Sequence, residues 1–92
     1  MLSAFCEEQI VEILKEWDCI GIREFEPSGY DDAASMLADT LTYKSEIKDI
    51  KNKVKKTYKM LYEDSFDVSD KEIEAVSQRL KDIIDEDKEY NE

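Results

Sequence analysis

The chain has no histidine. That removes the side chain used most often as a general base, as the partner of a nucleophile and as a metal ligand. Its two cysteines, Cys6 and Cys19, lack C-x-x-C spacing, so neither a zinc site nor a cysteine–histidine nucleophile is supported. There is no glycine-rich phosphate loop. Two glycines and one proline are too few for a turn-rich β architecture and leave room for long uninterrupted helices. No stretch approaches the ~18–20 apolar residues of a membrane span. The opening MLSAFCEEQIVEIL has no basic n-region, and Glu7, Glu8 and Glu12 interrupt its apolar residues. No secretory signal is therefore read, and a cytoplasmic protein is expected.

What is present points to one domain spanning residues 1–92. A chain of this length buries roughly 60–65% of the surface exposed when unfolded, enough for a modest core without staples. Apolar residues make up 41% and charged residues 40%, which fits a small core beneath a strongly solvated surface. The net charge is −11, unevenly placed. Residues 1–32 carry nine acids and two bases, residues 46–62 six lysines and two acids, and residues 63–92 twelve acids and four bases. Two acidic ends thus flank a basic middle. Such a balance disfavours direct nucleic-acid binding, whose affinity comes from cations placed on phosphates. It favours attraction of a basic partner, though acidity also serves plain solubility.

Four helices are predicted. The first runs from an N-cap at Ser3 to Trp17, with Ile10, Ile13, Leu14 and Trp17 on one stripe that Phe5 extends. The second begins at an Asp31 or Asp32 cap and reaches about Tyr43, with Ala33, Met36, Leu37 and Thr40 inward. The third follows an N-cap at Ser45 and turns Ile47, Ile50, Val54, Tyr58 and Leu61 inward, leaving six lysines outward. The fourth opens on a capping box, Ser69 to Glu72, with Val68 stapling onto Ile73, and ends near Asp85. Residues 86–92 are expected to fray. A helix from Cys6 to Trp17 separates these residues by roughly 16 Å, so Cys19 does not return to disulfide distance and both thiols are expected free and buried. The expected product is all-α: a small antiparallel four-helix bundle with the apolar loop 18–30 packed on one end.

Gly21, Pro27 and Gly29 all fall in that loop, DCIGIREFEPSGY, beside Ile20, Ile22, Phe25 and Tyr30. A loop so apolar must fold back on the core. Asp18 is expected to stop the first helix with an Asx-type turn, Gly21 to reverse the chain, and Ile20 and Ile22 to press over Trp17. Trp17 is the largest single hydrophobic group and serves as a lid, worth ~2–3 kcal/mol if buried.

No catalytic residue, metal site or cofactor is read from the chain, and an enzyme is not expected. The carboxylates look spread over solvated faces. The terminal DEDKE lacks the spacing and glycine of a calcium loop. The lysine face of the third helix reads as a solvated surface pairing with neighbouring acids, with nucleic acid as the sharper alternative.

The run W17-D18-x-I20-G21-I22, followed by acids and Y30-D31 at a helix start, resembles a family of small bacterial helical proteins that typically read W-D-P-I-G-I. One branch comprises uncharacterised proteins of Gram-positive bacteria; others resemble immunity proteins of contact-dependent growth inhibition and related polymorphic toxin systems. The likeness extends through about residue 84. Cys19 stands where the motif has proline, and Ala33 where it has a second tyrosine. The resemblance implies a protein that binds and neutralises one cognate toxin, often a cationic nuclease. Glu24, Phe25, Glu26, Tyr30, Asp31 and Asp32 are the candidate partner-binding residues, an aromatic anchor among acids; the bland reading packs these aromatics inward. Trp17 and Asp18 are assigned to structure. Two other readings compete: an acidic protein-binding or DNA-mimic inhibitor of another kind, and a helical homodimer that pairs the lysine helix with an acidic end of a second copy.

Overall fold

The computed structural model describes residues 2–22, 24–26 and 28–91, with Asn91 described by its backbone alone. Ser3 opens the first helix, α1 (Ala4–Trp17), and its Oγ accepts the Cys6 N–H at 3.1 Å. Asp18 closes the helix in the left-handed region, φ 43°, and its N–H returns to the Leu14 carbonyl at 2.9 Å. The stop is therefore made by the Asp18 backbone itself, a conformation that aspartate tolerates better than most residues. Gly21, at φ 78°, donates its N–H to the Asp18 carbonyl at 3.0 Å and completes the expected reversal.

The second helix, α2 (Asp31–Thr40), is capped by Tyr30 rather than by an aspartate. Asp31 and Asp32 instead occupy its first turn, where their charge complements the helix dipole. Helix α2 ends before Tyr43, because Leu41 is extended and buries its side chain in the core. Its inward face is Ala33, Ala34, Leu37 and Ala38, rotated from the predicted one. Met36 is only partly covered, and Thr40 is exposed with its Oγ donating to the Met36 carbonyl at 2.8 Å. Three small alanines leave little side-chain bulk between α2 and its neighbours.

Helix α3 (Ile47–Tyr62) begins one residue later than predicted. Glu46 is its N-cap and donates its N–H to Asp49 Oδ2 at 3.0 Å, while Ser45 turns inward and accepts the Thr42 N–H at 2.9 Å. Ile50, Val54, Thr57 and Tyr58 face the core. Leu61 continues their spacing but is 36% exposed, because the bundle ends beneath it and the chain turns away at Glu63, φ 48°. A single 3-10 turn, Glu63–Ser65, leads to α4 (Asp70–Asn91). Ser69 Oγ accepts the Glu72 N–H at 3.2 Å, the forward half of the predicted box.

Helix α4 does not end near Asp85. It remains helical across the segment expected to fray, up to Asn91; Glu92 lies outside the described residues. The cause is Asp87, only 5% exposed, whose carboxylate accepts the Ser3 N–H (3.2 Å), the Ser3 hydroxyl (2.5 Å) and the Tyr43 hydroxyl (2.7 Å). A polar segment stays ordered because one buried acid ties it to α1 and to the α2–α3 connection.

The helices touch in a ring: α1 with α2, α2 with α3, α3 with α4 and α4 with α1, leaving α1 and α3 at opposite corners. Contacts between opposite ends set the directions. Ser3, before α1, meets Asp87 near the end of α4, so α4 runs antiparallel to α1; Lys55, midway along α3, meets Asp70 at the start of α4 at 2.8 Å. Tyr30, at the start of α2, approaches Asp18 at the end of α1 and Tyr62 at the end of α3. This is the expected four-helix bundle, and among the described residues it contains no strand. Both cysteines are free, Cys6 buried and Cys19 half-buried.

Replacing Asp87 by alanine strands three donors at a buried site, and a loss of ~2–4 kcal/mol is expected. Urea unfolding followed by circular dichroism measures it. Deleting residues 86–92 should cost at least as much, whereas a frayed tail would cost nothing.

Candidate functional site

The end of the bundle that carries loop 18–30 is built on aromatic rings. Tyr58 sits at their centre, with ring centroids at 5.3 Å to Trp17, 5.1 Å to Tyr62 and 5.2 Å to Phe66. Tyr30 lies 5.9 Å from Tyr62, edge-on. Tyr30 and Tyr58 are the largest fully buried side chains, while Trp17 stays partly exposed at the margin. The lid is thus shared among five rings and not held by tryptophan alone.

Tyr30 was a candidate for partner contact, but it has no exposed surface to offer. Its hydroxyl donates to Asp18 Oδ1 at 2.7 Å and accepts the Ile20 N–H at 3.2 Å. That pair of bonds joins the two ends of the loop and gives Asp18 and Tyr30 a shared structural role in this chain. Ile20 and Ile22 pack partly covered against the core, as expected. Phe25 does not fold back: it is 84% exposed, between exposed Glu24 and Glu26. Asp31 and Asp32 are exposed beside it at the start of α2. Five of the six candidate residues therefore lie on the surface at one pole, and the sixth is the peg beneath them.

A groove of about 770 Å³ runs between this loop, the start of α2 and the last turn of α3. Phe25, Ile20, Ile22 and Leu61 give it an apolar lining, and Glu26 and Asp32 add carboxylates. Tyr62 lies in its wall and donates its hydroxyl to the Gly29 carbonyl at 2.6 Å, which fastens the loop to α3. A Cβ at Gly29 would stand 2.6 Å from Ile22 Cδ1 and 3.0 Å from the Glu26 carbonyl, so glycine permits the loop to close this tightly. Burial, chiefly, pushes the Tyr62 hydroxyl up to about 12, and the carboxylates of Asp32, Glu26 and Asp31 push the same way. Three carboxylates thus project their field onto one point of the groove wall.

Leu61, Tyr62 and Gly29 were not among the sequence candidates. Leu61 continues the helical stripe, and nothing in its spacing shows that the bundle stops below it. A second cleft, about 560 Å³, lies on the other side of segment 17–22 against α4. It mixes Asp67 and Glu72 with Arg79, which also pairs with Glu16, so its charge does not favour one sign as the groove does.

The titrating groups in the interior are held neutral. Burial, chiefly, raises the thiols of Cys6 and Cys19 to about 11 and about 12 and raises the Tyr30 and Tyr58 hydroxyls as well. These are the shifts of packed residues, opposite to the lowered pKa of an activated thiol. Among the described residues no group of three or more acids and cysteines is gathered to hold a metal ion. No family model, curated protein or solved structure matches the chain.

Two near-identical substitutions should diverge. Tyr30→Phe removes the bridge between Asp18 and Ile20 and should cost ~1–2 kcal/mol, whereas Tyr58→Phe removes a buried hydroxyl that has no hydrogen-bond partner among the described residues and should be neutral or stabilising by up to ~1 kcal/mol. Equilibrium urea unfolding of both variants checks the contrast. Stability should also fall in alkali. Folding raises Cys6, Cys19 and Tyr62 from 9.0, 9.0 and 10.0 to about 11, 12 and 12, so the native state favours the protonated forms. Their contribution is complete below about pH 9 and is lost as pH rises towards 12. Urea midpoints measured across that range should decline steadily.

Proposed function

We propose that the protein is a stoichiometric inhibitor: an immunity protein that binds and neutralises a cognate basic toxin domain, of nuclease type. The observation that carries this reading is Phe25, an aromatic ring left 84% exposed between two exposed glutamates in a chain of net charge −11. An exposed ring ringed by like charges has the make-up of an interface anchor, whose burial on binding supplies affinity. The surrounding acids speed the approach of a cationic partner and add specificity, in a salt-dependent way. The resemblance of the W-D-x-I-G-I…Y-D pattern to immunity proteins supports the same reading.

The alternative of a DNA mimic calls for one continuous surface of carboxylates. Exposed Lys48, Lys56 and Lys59 on α3 interrupt the acidic surface, which weighs against it. A cytoplasmic place of action belongs to the same proposal; among the described residues, no helix is long and apolar enough to cross a membrane.

The test is co-expression with any toxin domain found encoded beside the gene; finding none there, and no basic protein that copurifies, would remove the proposal. Growth should be rescued, and a one-to-one complex should copurify at low salt. Phe25→Ala should weaken the complex by tenfold or more, and a Glu24→Gln, Glu26→Gln double variant should slow association severalfold. An adjacent gene for a toxin that kills equally with and without this protein would overturn the proposal.

A further inference from the structure

We infer that the groove between loop 18–30 and the last turn of α3 is the receptor for one short basic amphipathic segment of the partner, an apolar side chain flanked by lysines or arginines. This deepens the inhibitor reading and rests on it only for the partner's identity; the chemistry of the groove stands by itself.

The charge is complementary to such a segment and to no simpler one. A purely apolar segment would leave Glu26 and Asp32 facing it without counter-charge. A purely cationic one would leave Phe25 and Leu61 in water, where they already are. Apolar residues beside carboxylates in one groove match a ligand that alternates in the same way. The groove's volume, about 770 Å³, falls in the range that takes several side chains at once. It is also preformed. The Tyr62 bond to Gly29, the Tyr30 bridge from Asp18 to Ile20, and the close fit of Gly29 over Ile22 hold three sides before any partner arrives. Little ordering is left for binding to impose, which favours affinity from a small contact.

A second copy of the chain is a poorer occupant. Each copy carries −11, so two copies repel at long range, whereas a cationic segment is drawn in. The seam between α1 and α4 at the other end also exposes aromatics, Phe5 and Tyr90, but its cavity is about 80 Å³ and therefore shallow for a segment.

The experiment titrates the full chain, labelled with nitrogen-15, with three synthetic peptides while amide shifts are followed. The first is acetyl-GKKLFKKLKKG-amide, the second acetyl-GEELFEELEEG-amide, and the third acetyl-GKKGSKKGKKG-amide. The first should shift the amides of Ile20, Ile22, Phe25 and Leu61, and should bind at least tenfold more tightly than the other two. Phe25→Ala, a change at an exposed position that leaves the fold intact, should lower that affinity tenfold or more. Glu26→Gln with Asp32→Asn should lower it severalfold and flatten its salt dependence. Equal binding of the first and third peptides would reduce the groove to bulk charge attraction and overturn the inference. So would shifts confined to the α1–α4 seam, or self-association that Phe25→Ala abolishes, since a second copy would then be the occupant. The two proposals part cleanly. Peptide docking without toxin rescue keeps the groove and removes the immunity role; a toxin complex untouched by Phe25→Ala and by the charge variants does the reverse.

Discussion

The bond from the Tyr30 hydroxyl to the Asp18 carboxylate is the constraint on which the loop-bearing pole depends. It joins residues twelve apart in sequence and so closes the loop at its neck. The same hydroxyl receives the Ile20 N–H, so one phenol satisfies the chain as it leaves α1 and pins it where α2 begins. With the neck closed, Ile20 and Ile22 pack against the core, and Glu24 and Glu26 stand exposed as an acidic bulge. Phe25 rides on that bulge. Its exposure is thus a product of order beneath it and not of a loose loop.

The opposite pole uses the same device, again with an aspartate accepting from a tyrosine hydroxyl. There a buried carboxylate, Asp87, gathers hydroxyl and amide donors from Ser3 and Tyr43. One acid–tyrosine bond thus sits near each end of the bundle. Between them the helices contribute unspecific apolar packing, which by itself leaves helix register and loop placement loosely determined. Directional bonds at the two poles supply what greasy contacts do not.

Much of this was legible in the chain. Helix number, the Ser3 and Ser69 caps and the free thiols follow from periodicity and from a few side chains whose preferences are local. The errors share a cause. Met36, Thr40 and Leu61 lie on the correct spacing for burial, but burial depends on where the neighbouring helix ends, which no local pattern records. Asp87 was read as part of a solvated tail, because an acid in an acid-rich run looks exposed until its distant partners are known. Trp17 drew attention by size, whereas Tyr30 and Tyr58 are the residues that the fold encloses. At the candidate site, the acids and Phe25 were visible in sequence. The groove was not, because it is made by bringing Leu61 and Tyr62 across from a helix more than thirty residues away.

The margin position of Trp17 has an optical consequence. It is the only tryptophan, it is partly open to solvent, and its ring centre stands 5.3 Å from that of Tyr58. Indole emission responds to the polarity around the ring, and excitation passes readily from phenol to indole over such a distance. The molecule therefore carries an intrinsic fluorophore in the wall of its own loop, and lifting that loop would redden the emission without any label being attached.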